Sequence, residues 1–238
     1  MHDSDYVLGV DLGKTNDPAV FTAAKRTVWD DSGERVRYKL AIRVLHMVPL
    51  GTKYQDVVAH LSDLVQFLYK SEGLAASVAV DITGVGEAVM ELVREDPVLQ
   101  GISWGVCISG GQNLRRDRIH PNDMVVPKKD LIGSLQVYLQ DGLLVAHPSL
   151  PLLAEMRDQL LQFQEKKKAR VTAFEGAGDT HDDVVMSLAS LCWLADFLDL
   201  QEREGATPDS ANSPYAIDHG FQGRQQGPSW RDHLPGSP

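Results

Sequence analysis

"VLGVDLGKTNDPAVF", residues 7–21, decides how this chain is to be read. It contains Gly13, Lys14 and Thr15, the GKT that closes a phosphate-binding loop, and it also contains Asp11 at the tip of an apolar run. A P-loop requires G-x-x-x-x-G-K-[ST], so that successive backbone N–H groups wrap the phosphates before a helix begins. Here Gly9 and Gly13 are separated by three residues, and Leu8 stands where the first glycine is needed. "NDPAVF" then continues as a proline and a β-rich run. No helix N-terminus remains to hold an anion, which excludes the P-loop.

As "GVDLGKTN" the same stretch is similar to the first phosphate motif of the actin-like, sugar-kinase and heat-shock ATPases, which is a strand-turn-strand. Each lobe of those proteins is about the size of this whole chain of 238 residues, so a complete enzyme of that class does not fit. The chemistry therefore moves to the aspartate.

Working outward, "YVLGVDL" reads as a strand covered on both faces. Residues 18–26 and 36–48 read as two more strands around the turn-rich "DDSGE", giving an antiparallel β-β-β opening. Val57, Leu61, Leu64 and Leu68 then recur at helical spacing and stop at Gly73. "ASVAVDI" is a short buried strand, "GEAVMELVRE" a helix and "ISWGVCIS" another strand. Proline and glycine punctuate Gly110 to Pro127, which reads as mostly loop. Helices follow at about 128–141 and 152–165, and a last one over 180–199 carries Val184, Val185, Leu188, Leu191, Cys192 and Ala195 on one stripe.

Length and a 43% hydrophobic content suit one substantial core, assigned to residues 1–200. Residues 201–238 hold five of the twelve prolines and five of the twenty glycines without periodic apolar pattern, so a disordered tail is expected there. Its Tyr215, Ile217, Phe221, Trp230 and Leu234 fit either an inert tail or a docking peptide. Cys107 and Cys192 show no metal-ligand spacing, nothing resembles a signal peptide, and no apolar run is long enough for a bilayer. A soluble, intracellular protein with no membrane partner is expected.

A net charge of −10 argues against nucleic acid when taken alone. The sign is locally segregated, however: Arg115, Arg116, Arg118, Lys128 and Lys129 form one basic cluster and Lys166, Lys167, Lys168 and Arg170 another. Each is read either as a solvated surface or as a grip on a phosphate backbone.

Three acids stand at the ends of buried elements. Asp11 ends the first strand, Asp81 ends "SVAVDI", and the last helix opens with "GDTHDD", holding Asp179, Asp182 and Asp183. If the first and fourth strands are neighbours, ~4.8 Å apart, their two carboxylates leave the same sheet edge. Gathering ionised acids is unfavourable unless a cation neutralises them, and two hard divalent ions ~3.5–4 Å apart cleave phosphodiesters. Taken singly, Asp11 also suits a turn, Asp81 a helix cap, and Thr180 with Asp183 a capping box. A β-β-β-α-β-α order with acids at these places is the ribonuclease H-like pattern, here expected as a five-stranded mixed sheet, three antiparallel strands and then parallel ones, flanked by helices.

Several segments together resemble the nuclease domain of bacteriophage terminase large subunits. "GVDLGKTNDPAVF" resembles its first strand and hairpin, "AVDITGVGEAVMELV" its D-x-T-G-x-G segment, the stretch from "VPKKDL" to "LLQF" its central region, and "GDTHDDVVMSLASLCW" its closing helix. The resemblance spans most of residues 6–196. It implies an endonuclease using two Mg²⁺ or Mn²⁺ ions to cut concatemeric double-stranded DNA during packaging, with little sequence preference. It implies Asp11, Asp81 and Asp183 as ligands, Asp182 as a neighbouring or alternate ligand, and Asp17 as a further acid beside the site. Helical periodicity does not choose between Asp182 and Asp183. His181 suits orienting a carboxylate, touching phosphate, or a structural place; Lys14 suits a DNA contact or a solvated turn.

The resemblance also implies a packaging ATPase domain or subunit, a portal and a small terminase subunit as partners, and the cytoplasm of an infected bacterial host cell as the location. Full-length members carry the ATPase before this domain, so the chain is expected to be an excised domain or a separately encoded nuclease. A junction resolvase of the same fold, or a non-catalytic docking module of the packaging motor, are the competing readings.

Overall fold

The computed structural model describes residues 4–13, 17–30, 36–84, 86–168, 171–176 and 182–203, without the side chains of 86–87, 164–168, 171–176 and 202–203. Strand β1 (Ser4–Asp11) lies at the centre, between β2 (Val20–Asp30), antiparallel to it, and β4 (Ala76–Asp81), parallel to it. Its side chains alternate between two cores. Tyr6, Leu8 and Val10 meet α1 (Tyr54–Glu72) and α2 (Gly86–Glu95) on one face. Val7 meets the other face, which is covered by α3 (Lys128–Gln140), α4 (Leu153–Gln162) and α5 (Asp183–Arg203). Burial on both faces is why this strand reads as an unbroken apolar run.

With β3 (Arg37–Met47) and β5 (Ser103–Ser109), these strands make the expected mixed set of five, and β1 neighbours β4. The helix over α1 stops where expected: Gly73 adopts φ +69° and its N–H returns to Tyr69 O at 2.7 Å.

The sheet is nevertheless wider than the sequence suggests. It has eight strands in the order β6-β7-β5-β4-β1-β2-β3-β8, adding β6 (Arg115–Arg116), β7 (Asp123–Pro127) and β8 (Leu144–Ala146). Two of these lie in the segment read as loop. They are short, and Pro127 sits in the last position of β7, so the period-2 signal never accumulates. The helix expected to reach residue 165 ends at Gln162, because Phe163 turns extended into a separate hairpin, β9 (Phe163–Lys168) with β10 (Val171–Gly176). Helix α5 runs to Arg203, three residues into the 201–238 segment read as the tail; the rest of that segment, 204–238, lies outside the described residues. Among the described residues no helix is long and apolar enough to cross a membrane.

Helix α5 is fixed to the sheet at two places. Ser187 Oγ donates to Gly9 O at 2.8 Å and shares a 2.8 Å hydrogen bond with Thr22 Oγ1, all of it buried. A Cβ at Gly9 would fall 1.9 Å from Ser187 O and 2.9 Å from Leu191 N, so helix backbone rests directly on strand backbone. Further along, the Arg26 guanidinium forks onto Asp5, donates to Ala195 O at 3.1 Å and stacks over Tyr38 at 4.5 Å.

Replacing Gly9 with Ala is expected to cost about 3 kcal/mol, the upper part of the range for forcing extra volume into a packed core. At ~2–4 °C per kcal/mol for a chain of this size, the melting temperature should fall by roughly 6–12 °C. Calorimetry checks this, and an unchanged melt would mean that α5 does not sit on β1 as described.

Candidate metal centre

The parallel pairing of β1 with β4 puts Asp11 opposite Asp81, side by side at the carboxyl ends of their strands. Each carboxylate accepts the backbone N–H two residues on: Gly13 N–H reaches Asp11 Oδ1 at 3.0 Å, and Thr83 N–H reaches Asp81 Oδ1 at 2.8 Å. The turn-forming role read for a single aspartate is thus present, and it is the device that fixes both acids.

Asp183 arrives from the other face. Ser187, its anchor, lies one helical turn after it, and Gly9 lies two residues before Asp11. One turn of helix rises ~5.4 Å and two strand residues span ~6.6 Å, so both displacements carry the acids to the same edge. Val184 N–H, in the first turn of α5, donates to Gln159 Oε1 of α4 at 3.1 Å in a buried contact. Asp182 precedes the helix and accepts Met186 N–H at 2.8 Å through its carbonyl.

These acids line one open cleft of about 240 Å³ together with Leu12, Gly13, Asp17, Thr83, Ile108, Lys128 and Met186. Gly13 explains how Asp17 gets there: it adopts φ +62°, and a Cβ would fall 2.3 Å from Asp17 O. The chain folds back on itself at that point. Lys14 and Thr15, between those two residues, lie outside the described residues, as do His181 and Arg170. Asp183 is buried and Asp182 half-buried, yet both line the cleft.

Electrostatics mark the cleft as a place that wants a cation. Burial pushes the Asp11 carboxyl up from 3.8 to about 8, with further upward contributions from Asp81, Asp183 and Asp182 against the Gly13 N–H, which pulls it down. The ammonium of Lys128, 3.5 Å from Asp182 Oδ2 and 5.8 Å from the Phe163 ring centre, is the positive charge among the lining side chains. As placed, no three of the described acids converge closely enough to clasp one ion. The donor set fits a hard divalent cation all the same, since every charged acceptor is a carboxylate oxygen and the acids repel one another until one is bound.

The basic residues are divided. Lys128 sits in the cleft itself, and Lys129 beside it donates to Gln112 at 2.6 Å. Arg116, on the edge strand β6, donates to Gln201 at 2.9 Å. Gln201 lies eighteen residues along α5 from Asp183, about 27 Å at helical rise. Arg118 lies in the turn between β6 and β7, at the opposite edge of the sheet, where Asp117 accepts from Ile119 and His120 N–H groups. Lys166, Lys167 and Lys168 lie on β9. Gln159 was missed in the sequence, and Thr83, the threonine of the D-x-T-G-x-G segment, was given no role there.

A mixed sheet with β1 central, acids closing β1 and β4, and a third acid opening the helix on β1 is a ribonuclease H-like fold. Its counterparts among solved structures are terminase nuclease domains, and the chain has the fold of that class. The large terminase nuclease of thermophilic phage G20c, with bound magnesium, is 25% identical, over 81% of this chain and 82% of that one, at a TM-score of 0.54. Another structure of the same nuclease is 26% identical at 0.52, over 80% and 82%. The human cytomegalovirus terminase nuclease domain, soaked with manganese, shares 11% identity over 81% and 84% at 0.51, which speaks for the fold alone. No protein-family model and no curated protein matches the chain.

Because the folded carboxyl of Asp11 titrates above its unfolded value, its protonation favours the fold fully below about pH 3.8, and that contribution is lost as pH climbs to about 8. Asp11→Asn keeps an acceptor for Gly13 N–H but carries no such group. Melted in chelator between about pH 5 and 9, the variant should lose less stability than wild type and melt higher at the alkaline end, by ~2–4 °C per kcal/mol recovered. Magnesium should raise the melting temperature of wild type more than that of the variant. A variant that melts lower throughout would contradict the crowding of acids described here.

Proposed function

We propose that the protein is a metal-dependent endonuclease that cuts double-stranded DNA during viral genome packaging, with little sequence preference. The observation that carries this reading is the registered pair Asp11 and Asp81, joined by Asp183 through the docking of α5 on β1. Asp11, Asp81 and Asp183 would hold two divalent ions, Mg²⁺ or Mn²⁺, with Asp182 adjoining and Asp17 at the rim. When bound, the ions supply a water of lowered pKa as nucleophile and stabilise the departing 3′ oxygen. The likeness to a phage nuclease that binds magnesium supports the choice of metal class.

The chain's own residues do the rest. The two turn N–H groups hold Asp11 and Asp81 in fixed orientation, and Gln159 holds the first turn of α5. Lys128, now 3.5 Å from Asp182, would turn its charge to the phosphate. Lys129, Arg115 and the β9 lysines with Arg170 extend the grip along the duplex, while Arg116 and Arg118 point to a separate surface. The partners by family resemblance are a packaging ATPase domain or subunit, the portal and the small terminase subunit, in the cytoplasm of an infected bacterial host.

Supercoiled, linear and four-way-junction DNA should each be incubated with the protein, with and without Mn²⁺. Supercoiled and linear duplex should be cut only with metal, and Asp11→Asn and Asp183→Asn should lower the rate by at least about a thousandfold while remaining folded. Selective cutting of the junction would make the protein a resolvase, and no cutting at all would leave a docking module.

Replacing Lys166, Lys167 and Lys168 together with Ala should weaken duplex binding and flatten the slope of log K against log salt by about 2–3. An unchanged slope would remove β9 from the DNA surface.

A further inference from the structure

Two turns close the neighbouring strands β1 and β4, and they differ in one respect. After Asp11 the donor is a glycine; after Asp81 it is Thr83, whose side chain also lines the cleft. Strand β4 ends at Asp81, and Ile82 N–H, bonded to Val106 O at 3.0 Å, is its last rung toward β5. The next N–H on β5, that of Ile108, donates to Thr83 Oγ1 at 2.8 Å. A threonine side chain has therefore replaced the missing strand rung.

That bond anchors the hydroxyl oxygen and takes up one of the directions open to its proton. A hydroxyl has one proton and two lone pairs. Ile108 N–H occupies one lone pair, and among the described residues no acceptor is recorded for the proton. The lining of the cleft holds five carboxylates and two side-chain donors, Lys128 and Thr83. Lys128 has Asp182 and the Phe163 ring as partners. Thr83 is the neutral donor, held rigid by two backbone N–H groups, one bonded to its oxygen and its own to Asp81.

Resting on the nuclease reading above, we propose that Thr83 is a substrate-contacting residue: its hydroxyl donates to a non-bridging oxygen of the DNA phosphate seated in the cleft. A donor oxygen already held in place by the fold needs little reorganisation when charge develops on the phosphate, which suits a donor that acts in the transition state. No bond is made or broken at Thr83, and the proton stays on its oxygen throughout.

The test uses Thr83→Val, which matches threonine in shape and lacks the hydroxyl, beside Thr83→Ser, which restores it. Single-turnover cleavage of duplex in Mn²⁺ should fall by about tenfold to a hundredfold in the valine variant, the range for a hydrogen bond to a charged group, and recover to within a few-fold in the serine variant. Valine also orphans Ile108 N–H, so a control is needed that a purely structural role would not move. Substrates with sulfur in place of one or the other non-bridging oxygen provide it: one diastereomer should slow wild type several-fold more than it slows Thr83→Val. In an Asp183→Asn background that binds without cutting, Thr83→Val should also weaken duplex affinity measured by fluorescence anisotropy.

If wild type cuts duplex while both diastereomers slow wild type and Thr83→Val equally, Thr83 only supports the strand and the proposal is overturned. If wild type itself cuts no DNA, it is the nuclease reading that fails.

Discussion

The close approach of α5 to β1 at Gly9 is the constraint from which the site follows. A helix normally stands off a sheet by the thickness of its side chains; here the absent side chain of Gly9 lets Ser187 O and Leu191 N come to the strand itself. Ser187 then satisfies the Gly9 carbonyl across the interface, and the buried hydroxyl of Thr22 completes the group. The contact sets both the height and the register of α5. Asp183, one turn earlier, has no freedom to sit anywhere but at the carboxyl ends of β1 and β4. Arg26, stacked on the Tyr38 ring, holds the middle of the helix through Ala195 O, two turns beyond Ser187, so the direction of α5 is set as well as its height.

That rigidity is needed because the gathered acids oppose it. Burial and three neighbouring carboxylates hold the proton on Asp11 to about 8, so the metal-free cleft keeps one of its acids neutral. Flexible acids in this situation would simply move apart into water. Backbone N–H donors to Asp11 and Asp81, and the buried Gln159 at the start of α5, prevent that movement. Stability is given up locally to keep these oxygen donors lining one cleft.

How much of this was legible in the sequence depended on the range of the interaction. Asp11, Asp81 and Asp183 each close or open an apolar run, and such runs report strand ends and helix starts well, so the places of these acids could be read, while the pairing of β1 with β4 stood only as a condition. The strands β6, β7 and β8 could not, since none exceeds five residues and β7 ends in a proline. The first basic cluster misled for a topological reason. Between Arg115 and Lys129 the chain reverses direction through β6 and β7, so residues adjacent in sequence end at opposite edges, Arg118 at one and Lys128 at the other. Asp182 and Asp183, which periodicity left undecided, differ in burial and share the cleft. Thr83 stands in the D-x-T-G-x-G segment, but its bond to the Ile108 amide, twenty-five residues away, leaves no local signal.

The charges lining the cleft bear on how so acidic a chain would handle the DNA proposed as its substrate. Asp11, Asp17, Asp81, Asp182 and Asp183 against Lys128 give five negative charges and one positive, a balance of −4 when all are ionised. Without cations that surface repels a phosphate, so binding at the cleft and loading with metal must be coupled. The pair of divalent ions proposed above carries four positive charges and brings the lining to neutrality. A phosphate would then meet a cleft in which the carboxylates are satisfied, with the ammonium of Lys128 and the hydroxyl of Thr83 as the remaining side-chain donors of the lining. The overall charge of −10 is thereby compatible with the proposed DNA substrate, because the acids lining the cleft are the ones that bound metal would neutralise.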